Sequence, residues 1–496
     1  MTILRTKSVE QAIRDTDEPG HQLKRNLSAW DLTVFGVGVI IGTGIFVLTG
    51  QQAAVNAGPA IVVSFLLAGV VCALAAMAYA EFASTVPVAG SAYTFSYATL
   101  GEFVAWVIGW DLLLELALGA AVVSRGWSAY AQNLFGLPTT IAGDHATVDL
   151  AAIFIVVAMA TLITFGTKLS GRFTGILVMV KVAVVLFVIV AGLFFVKAAN
   201  YHPFVPASQP STAQTRGGTE PLLQRLLDVT PSHFGWFGII AAASIVFFAY
   251  IGFDIVATTA EETANPQRDM PRGIFGALVI CTVLYMAVSL VITGMTHYTN
   301  LNTAAPLAQA FDANGATWAA KLIDVGGIAG ITTVVLVMVL GQTRVLFAMA
   351  RDGLLPGWLA KVHPKHGTPY VITWITTAVV SALAGFVPLS KLSELVSIGT
   401  LFAFVVVSAG VVVLRRTRPD LPRAFRMPGV PVLPILSVLA CLWLMINLPV
   451  DTWLRFVIWM AVGLVVYFFY GYRNSRLHPR NRQAHEHEVL ADLRLP

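Results

Sequence analysis

Apolar runs of about twenty residues or more recur from residue 30 to residue 472, the length at which a helix crosses the hydrocarbon core of a bilayer. With 57% of residues hydrophobic and only 11% charged, a soluble globular chain is excluded. The runs fit helices; the strands of a membrane barrel are shorter and alternate in polarity. The fold class read from the pattern is an all-α membrane protein with about 12 transmembrane helices. The predicted spans are 30–54, 59–84, 101–128, 149–166, 171–197, 235–261, 272–295, 321–349, 370–388, 393–414, 430–448 and 452–472. Cys72, Cys281 and Cys441 all fall inside apolar runs, as small buried hydrophobes with neither a disulfide framework nor a metal spacing. The first run follows a polar leader and is too long for the apolar core of a signal peptide, so no cleavable signal is expected.

Positive charge orients the spans. Arg5, Lys7, Lys24, Arg25, Lys168, Arg268, Arg351, Lys361, the run Arg415, Arg416, Arg418, Arg423, Arg426, and Arg473 to Arg494 fall on one side. Far fewer basic residues fall on the other, among them Arg125, Lys197, Arg216 and Lys391. The asymmetry predicts a multi-pass protein of the cell membrane with both termini cytoplasmic, and it accounts for the net charge of +5 without nucleic acid as a partner. The organisation is an N-terminal arm (1–29), a first unit (30–197), a long external loop (198–234), a second unit (235–414), a connecting loop with two further helices (415–472) and a tail (473–496). His485-Glu486-His487 reads as a solvated stretch of that tail, and no metal is expected.

Inside the first span lies Gly36-Val37-Gly38-Val39-Ile40-Ile41-Gly42-Thr43-Gly44-Ile45-Phe46. Each glycine weakens a helix by roughly 1 kcal/mol relative to alanine and leaves the backbone bare. Such a stretch has two readings: a discontinuous helix whose free N–H groups hold an anion, or close packing of helices through small residues. The sixth span carries Phe248-Ala249-Tyr250-Ile251-Gly252-Phe253-Asp254, and a mid-span aspartate beside glycine is a functional candidate by default. Asp254 either caps a restarting half-helix or touches substrate; both require a break near Tyr250–Gly252. Breaks five spans apart imply two five-span units inserted in opposite senses, a 5+5 inverted repeat with discontinuous helices 1 and 6.

Two further charges lie in mid-membrane. Lys181, in the fifth span, is about ten residues, or roughly 15 Å, from the cytoplasmic end. Desolvation disfavours the charged form of a lysine, so it is a candidate proton carrier; the alternative is an ion pair with Glu115 or Asp254. Asp111 and Glu115 share one face of the third span, where Glu115 either relays protons or makes a structural pair.

The stretches GVGVIIGTGIF (36–46), GWDLLLELALG (109–119), FFAYIGFDIVATTAEETANPQRDMPRGI (247–274) and GQTRVLFAMARDGLLP (341–356) together resemble the amino acid–polyamine–organocation superfamily, specifically the bacterial side of its cationic amino acid transporter branch. The resemblance implies a LeuT-type fold working by alternating access. It implies that backbone N–H groups of Thr43, Gly44 and Ile45 hold a substrate carboxylate. Carbonyls near Ile40 and Ile41, and around Phe248, Ala249 and Ile251, would meet its ammonium. It also implies that Phe248 gates the site, that Lys181 replaces a sodium ion, and that Met338 closes the side-chain end and favours small or neutral L-amino acids. The segment with Glu261, Glu262, Arg268, Asp269 and Arg272 reads either as a cytoplasmic gate of ion pairs or as a solvated loop.

The expectation is a proton-coupled amino acid permease with amino acid and lipid bilayer as partners and the proton, rather than a cofactor, as coupling ion. An exchanger and a non-transporting amino acid sensor are the alternatives, although the short tail leaves little room for a signalling domain. A channel lacks an obvious filter, and no nucleophile–base motif or metal spacing suggests an enzyme.

Overall fold

A computed structural model describes residues 5, 27–86, 91–143, 146–165, 171–210, 218–364 and 368–478. Most of the N-terminal arm, Lys168, the side chain of Glu261 and His485–His487 lie outside the described residues.

Helix occupies each predicted span. Among the described residues eight helices are long and apolar enough to cross a membrane; Ala29–Ile40, Leu150–Thr164, Tyr370–Phe386 and Val432–Ile446 are shorter apolar helices. Several run past their predicted ends. The third continues to Phe135 and stops at Gly136, whose left-handed φ of 63° ends the helix as glycine readily does. The charge pattern places Arg125 with the external basic residues. Arg125 is instead buried and donates to the carbonyls of Ala384 (2.9 Å) and Gly385 (3.4 Å), which end the Tyr370–Phe386 helix. The seventh helix starts early, at Pro266, because proline is compatible with a first turn whose N–H needs no helical partner. Two short helices, Ser91–Thr99 and Pro306–Ala313, join the spans and are below spanning length. The 198–234 loop is tied down by the two-residue pairing of Gln209–Pro210 with Ser232–His233 and by the Leu222–Leu226 helix.

Two groups of helices pack together. Pro266–Met295 lies along both Ala29–Ile40 and Ile61–Thr85, while Thr317–Arg351 lies along Glu102–Phe135, and Tyr370–Phe386 along Leu150–Thr164. Outer faces expose residues such as Val279, Val283, Leu439, Ile458 and Val462, as hydrocarbon-facing helices do. The two glycine-interrupted segments meet between these groups.

Candidate functional site

The first interruption begins where Ala29–Ile40 ends. Ile41 turns to ψ 100°, out of helical geometry, with its N–H still bonded to Val37. Helix resumes in a wider π-turn over Gly44–Leu48. In the sixth span, Gly235–Val246 tightens into a 3-10 turn, Phe247–Tyr250, then opens at Ile251 and Gly252. Gly252 has φ 128°, and a Cβ there would lie 2.7 Å from Val39 Cγ1 and 3.3 Å from the Ile40 nitrogen. A Cβ on Gly44 would run into the Ala249 backbone. Both glycines are therefore required where the two broken segments touch.

Breaking a helix orphans carbonyls, and buried ones need donors. Lys181, fully buried, supplies them on one side: its ammonium donates to the carbonyls of Gly38 (2.5 Å) and Ile41 (3.3 Å) and to Thr333 Oγ1 (2.9 Å). Neither Glu115 nor Asp254 is paired with it among the described residues, so the expected alternative of an ion pair does not hold. On the other side the Tyr285 hydroxyl lies 2.7 Å from the Ile40 oxygen and 2.8 Å from the Ala249 oxygen, bridging both interruptions. Sequence reasoning missed Tyr285 and Thr333. The only local signal was a hydroxyl in an apolar span, which must find an acceptor.

Ile40, Thr43, Gly44, Phe248, Ala249, Ile251 and Met338 line one closed cavity together with Val123 and Val334. Its space for a water centre is about 10 Å³, on the order of one water molecule, so an amino acid enters only if the walls part. Ile41 and Ile45, expected in the same cradle, do not line it: the Ile41 carbonyl is taken by Lys181, and the Ile45 N–H bonds to Gly42 at 3.2 Å. Val123 is on the third helix, where its carbonyl accepts from Thr43 Oγ1 at 3.4 Å.

Asp254 also lies away from the cavity and accepts the Gly252 N–H at 3.1 Å, holding the turn from which the half-helix restarts. Glu115 and Asp111 are buried against the Leu389–Thr417 helix, where a Cβ on Gly399 would sit 3.0 Å from Asp111 Oδ1. Both Asp111 oxygens and Glu115 Oε1 lack a hydrogen-bond partner.

The segment expected to be a gate of ion pairs is held by backbone instead. Leu27 donates to the Glu262 carbonyl and Ala264 to the Leu27 carbonyl, each at 3.0 Å. Arg268 and Arg272 are exposed, and no ion pair joins them to Glu262 or Asp269 among the described residues. The buried ionic cluster lies elsewhere: Glu81, 1% exposed at the end of Ile61–Thr85, meets Arg415 Nη2 at 2.7 Å and Arg423 Nε at 3.5 Å and accepts the Met427 N–H at 2.8 Å.

Known proteins resemble this chain over nearly its whole length. A family profile described as amino acid permease matches residues 27–470. A branched-chain amino acid permease, BcaP, of Bacillus subtilis (strain 168) is 46% identical over 489 residues, covering 96% of this chain and 99% of that protein. A methylthioribose transporter of the same organism is 47% identical over 467 residues, covering 92% and 95%. The vacuolar cationic amino acid transporter 4 of Arabidopsis thaliana is 40% identical over 428 residues, covering 84% and 68%.

Proposed function

The chain belongs to the amino acid permease family of the amino acid–polyamine–organocation superfamily, and from that premise we propose that it takes up a neutral L-amino acid by proton-coupled alternating access. In this reading twelve helices cross the cell membrane, both termini are cytoplasmic, and the first ten helices form a LeuT-type 5+5 inverted repeat.

One observation carries the reading of the substrate. The two interruptions meet around a cavity that has backbone groups of both polarities and no charged side chain in its lining. A zwitterion suits that arrangement. Its carboxylate would lie at the start of the resumed helix at Thr43 and Gly44, where the helix dipole is positive. Its ammonium would meet the Ile40 and Ala249 carbonyls. Tyr285 has one hydroxyl proton for those two acceptors, so one acceptor is left for an ammonium to satisfy. The far end of the cavity is walled by Val123, Val334 and Met338, which suit an apolar side chain and offer nothing to a cationic one. The branched-chain permease relative agrees with that preference.

Lys181 supports proton coupling. Its ammonium ties the first interruption to Thr333 on the eighth span, and losing a proton would weaken those ties without requiring sodium. Glu115, beside acceptors that lack donors, is the candidate relay to it, because buried acceptors favour the arrival of a proton.

The methylthioribose transporter at 47% identity supports a second reading, in which the apolar end receives a methylthio group. Uptake into liposomes containing the purified protein separates the two. Radiolabelled leucine, isoleucine, valine, alanine, lysine and methylthioribose are offered with and without an inward proton gradient. Gradient-driven accumulation of a neutral amino acid, abolished by a protonophore, supports the proposal. Accumulation of methylthioribose alone replaces it; exchange only with preloaded amino acid makes the protein an antiporter; binding without movement makes it a sensor.

A further inference from the structure

The Ile61–Thr85 helix keeps one stripe bare. Val63, Leu66, Val70, Ala73 and Met77 recur at helical spacing, and each is half-buried or exposed. On its other faces the helix packs against Gly235–Val246 and Leu389–Thr417 in the interior, and against Pro266–Met295 and Val432–Ile446 at the periphery. The two peripheral helices expose apolar stripes of their own, with Val279 and Val283 on one and Ile435 and Leu439 on the other. The bare stripe is thus the floor of an apolar groove that these two helices flank. From Val63 to Met77 the floor rises about 21 Å, more than the roughly 15 Å of hydrocarbon in one leaflet.

The chain between Arg415 and Val432 crosses one mouth of this groove. Phe425 packs on Phe275 of the Pro266–Met295 helix with ring centroids 6.0 Å apart. Met427 donates its N–H at 2.8 Å to Glu81, at the end of the floor helix. Arg426 lies between these two anchors and is exposed. Arg272 precedes Phe275 by one turn on the same helix face, and Arg268 precedes Arg272 by another; both are exposed. The nearby carboxylates do not neutralise them: Glu81 is taken by Arg415 and Arg423, and Asp420 by Arg418. Among the described residues no ion pair reaches Arg268, Arg272 or Arg426. Uncompensated guanidinium groups therefore stand where the apolar groove ends.

We infer that this groove binds an anionic phospholipid, with the phosphate held by Arg272 and Arg426 and an acyl chain laid along the floor. A guanidinium pairs with phosphate through parallel N–H bonds, and basic groups at a membrane surface attract anionic lipid. A zwitterionic lipid would bring an ammonium of its own, for which the mouth holds no free carboxylate. A free phosphate would leave the apolar floor unused, so the lipid is the better match to both halves of the site. The inference needs only that the chain lies in a membrane, and it holds whatever the central cavity carries.

The test uses the full-length protein in phosphatidylcholine nanodiscs that carry a trace of phosphatidylglycerol with a photoreactive diazirine on its acyl chain. After illumination, mass spectrometry locates the labelled residues. A diazirine phosphatidylcholine with the same chains runs in parallel. The phosphatidylglycerol probe is expected to label the stripe from Leu66 to Met77 at least fivefold more than the phosphatidylcholine probe. Arg272→Gln and Arg426→Gln should each lower that labelling about fivefold, the scale of one arginine at an anionic membrane surface. Arg351→Gln, at the end of Thr317–Arg351 and also exposed, should leave it unchanged. Excess inorganic phosphate at constant ionic strength should leave it unchanged as well. Equal labelling by the two probes, protection by inorganic phosphate, or an equal loss in Arg351→Gln overturns the inference. Val70→Trp fills the floor without touching an arginine, so it keeps the test decisive if the arginine variants fail to fold. It is expected to remove labelling of the stripe by phosphatidylglycerol, and undiminished labelling there would overturn the site.

Discussion

The ammonium of Lys181 lies 2.5 Å from the carbonyl oxygen of Gly38, 143 residues earlier in the chain. That oxygen belongs to the last turn before the first helix breaks, and the same ammonium reaches Ile41 beyond it and Thr333 on another helix. Lys181→Ala removes a set of charge-assisted bonds, each worth about 1.5–3 kcal/mol. Uptake is expected to fall and whatever remains to lose its dependence on external pH. Initial rates across a pH series would check this; an unchanged profile would refute the role of proton carrier.

Tyr285→Phe keeps the ring that packs on Phe65 and Tyr250 but deletes the hydroxyl shared by the carbonyls of Ile40 and, across the break, Ala249. Losing one buried hydrogen bond costs about 1 kcal/mol. Substrate affinity is expected to weaken about fivefold because the two interruptions lose their common tie. Equilibrium binding to purified protein measures it, and unaltered affinity would separate Tyr285 from the site.

Gly44→Val places side-chain atoms where the Ala249 backbone now lies. Binding should be abolished while the protein still inserts and extracts from membrane normally. Should Gly44→Val retain wild-type affinity, the backbone-cradle proposal would be wrong.

Met338→Ala should change selectivity more than rate. The Met338 sulfur would lie 3.5 Å from a Cβ on Gly119, so shortening Met338 opens space toward a residue that has no side chain to fill it. Uptake of phenylalanine relative to valine is expected to rise about tenfold, the scale on which hydrophobic pockets discriminate. Competition against a labelled substrate gives the ratio; an unchanged ratio would remove Met338 from the side-chain end.

Glu81→Gln removes the buried carboxylate that Arg415 meets at 2.7 Å and Arg423 at 3.5 Å. Removing one partner of a buried pair costs about 3 kcal/mol or more. A lower melting temperature in detergent is expected, and it should recover in part when Arg423→Met is added. If Glu81→Gln melts as wild type does, the cluster contributes nothing to stability.

How far the site was legible depends on how local each signal is. The interruption at Gly36–Phe46 and the one at Gly252 were readable because a glycine's effect on a helix acts on its own residue. Lys181 was readable because a charge in an apolar run is conspicuous. The alternative of an ion pair for it does not hold, because carbonyls released by a break can satisfy an ammonium as well as a carboxylate can, and hydropathy does not register them. Among the described side chains Arg268 and Arg272 have no carboxylate partner, for a related reason: charges in a loop look alike whether solvated or paired, whereas the burial of Glu81 with Arg423 follows from how distant helices end.

The sequence by itself determined that this chain lies in a membrane, where its helices run, which two of them break and that Asp111, Glu115, Lys181 and Asp254 are buried within them. Those properties follow from side-chain transfer energies and backbone propensities, which are summed over neighbouring residues. Only the tertiary structure decided which groups face each other across the breaks. The turn at Ile41 rotates the resumed helix so that Thr43 and Gly44 line the cavity while Ile41 and Ile45 bond elsewhere. Packing of the seventh and eighth spans then brings Tyr285 and Thr333 to the freed carbonyl and ammonium groups. The phase of a helix after a break depends on backbone angles that glycine leaves open, and packing between distant segments selects among them.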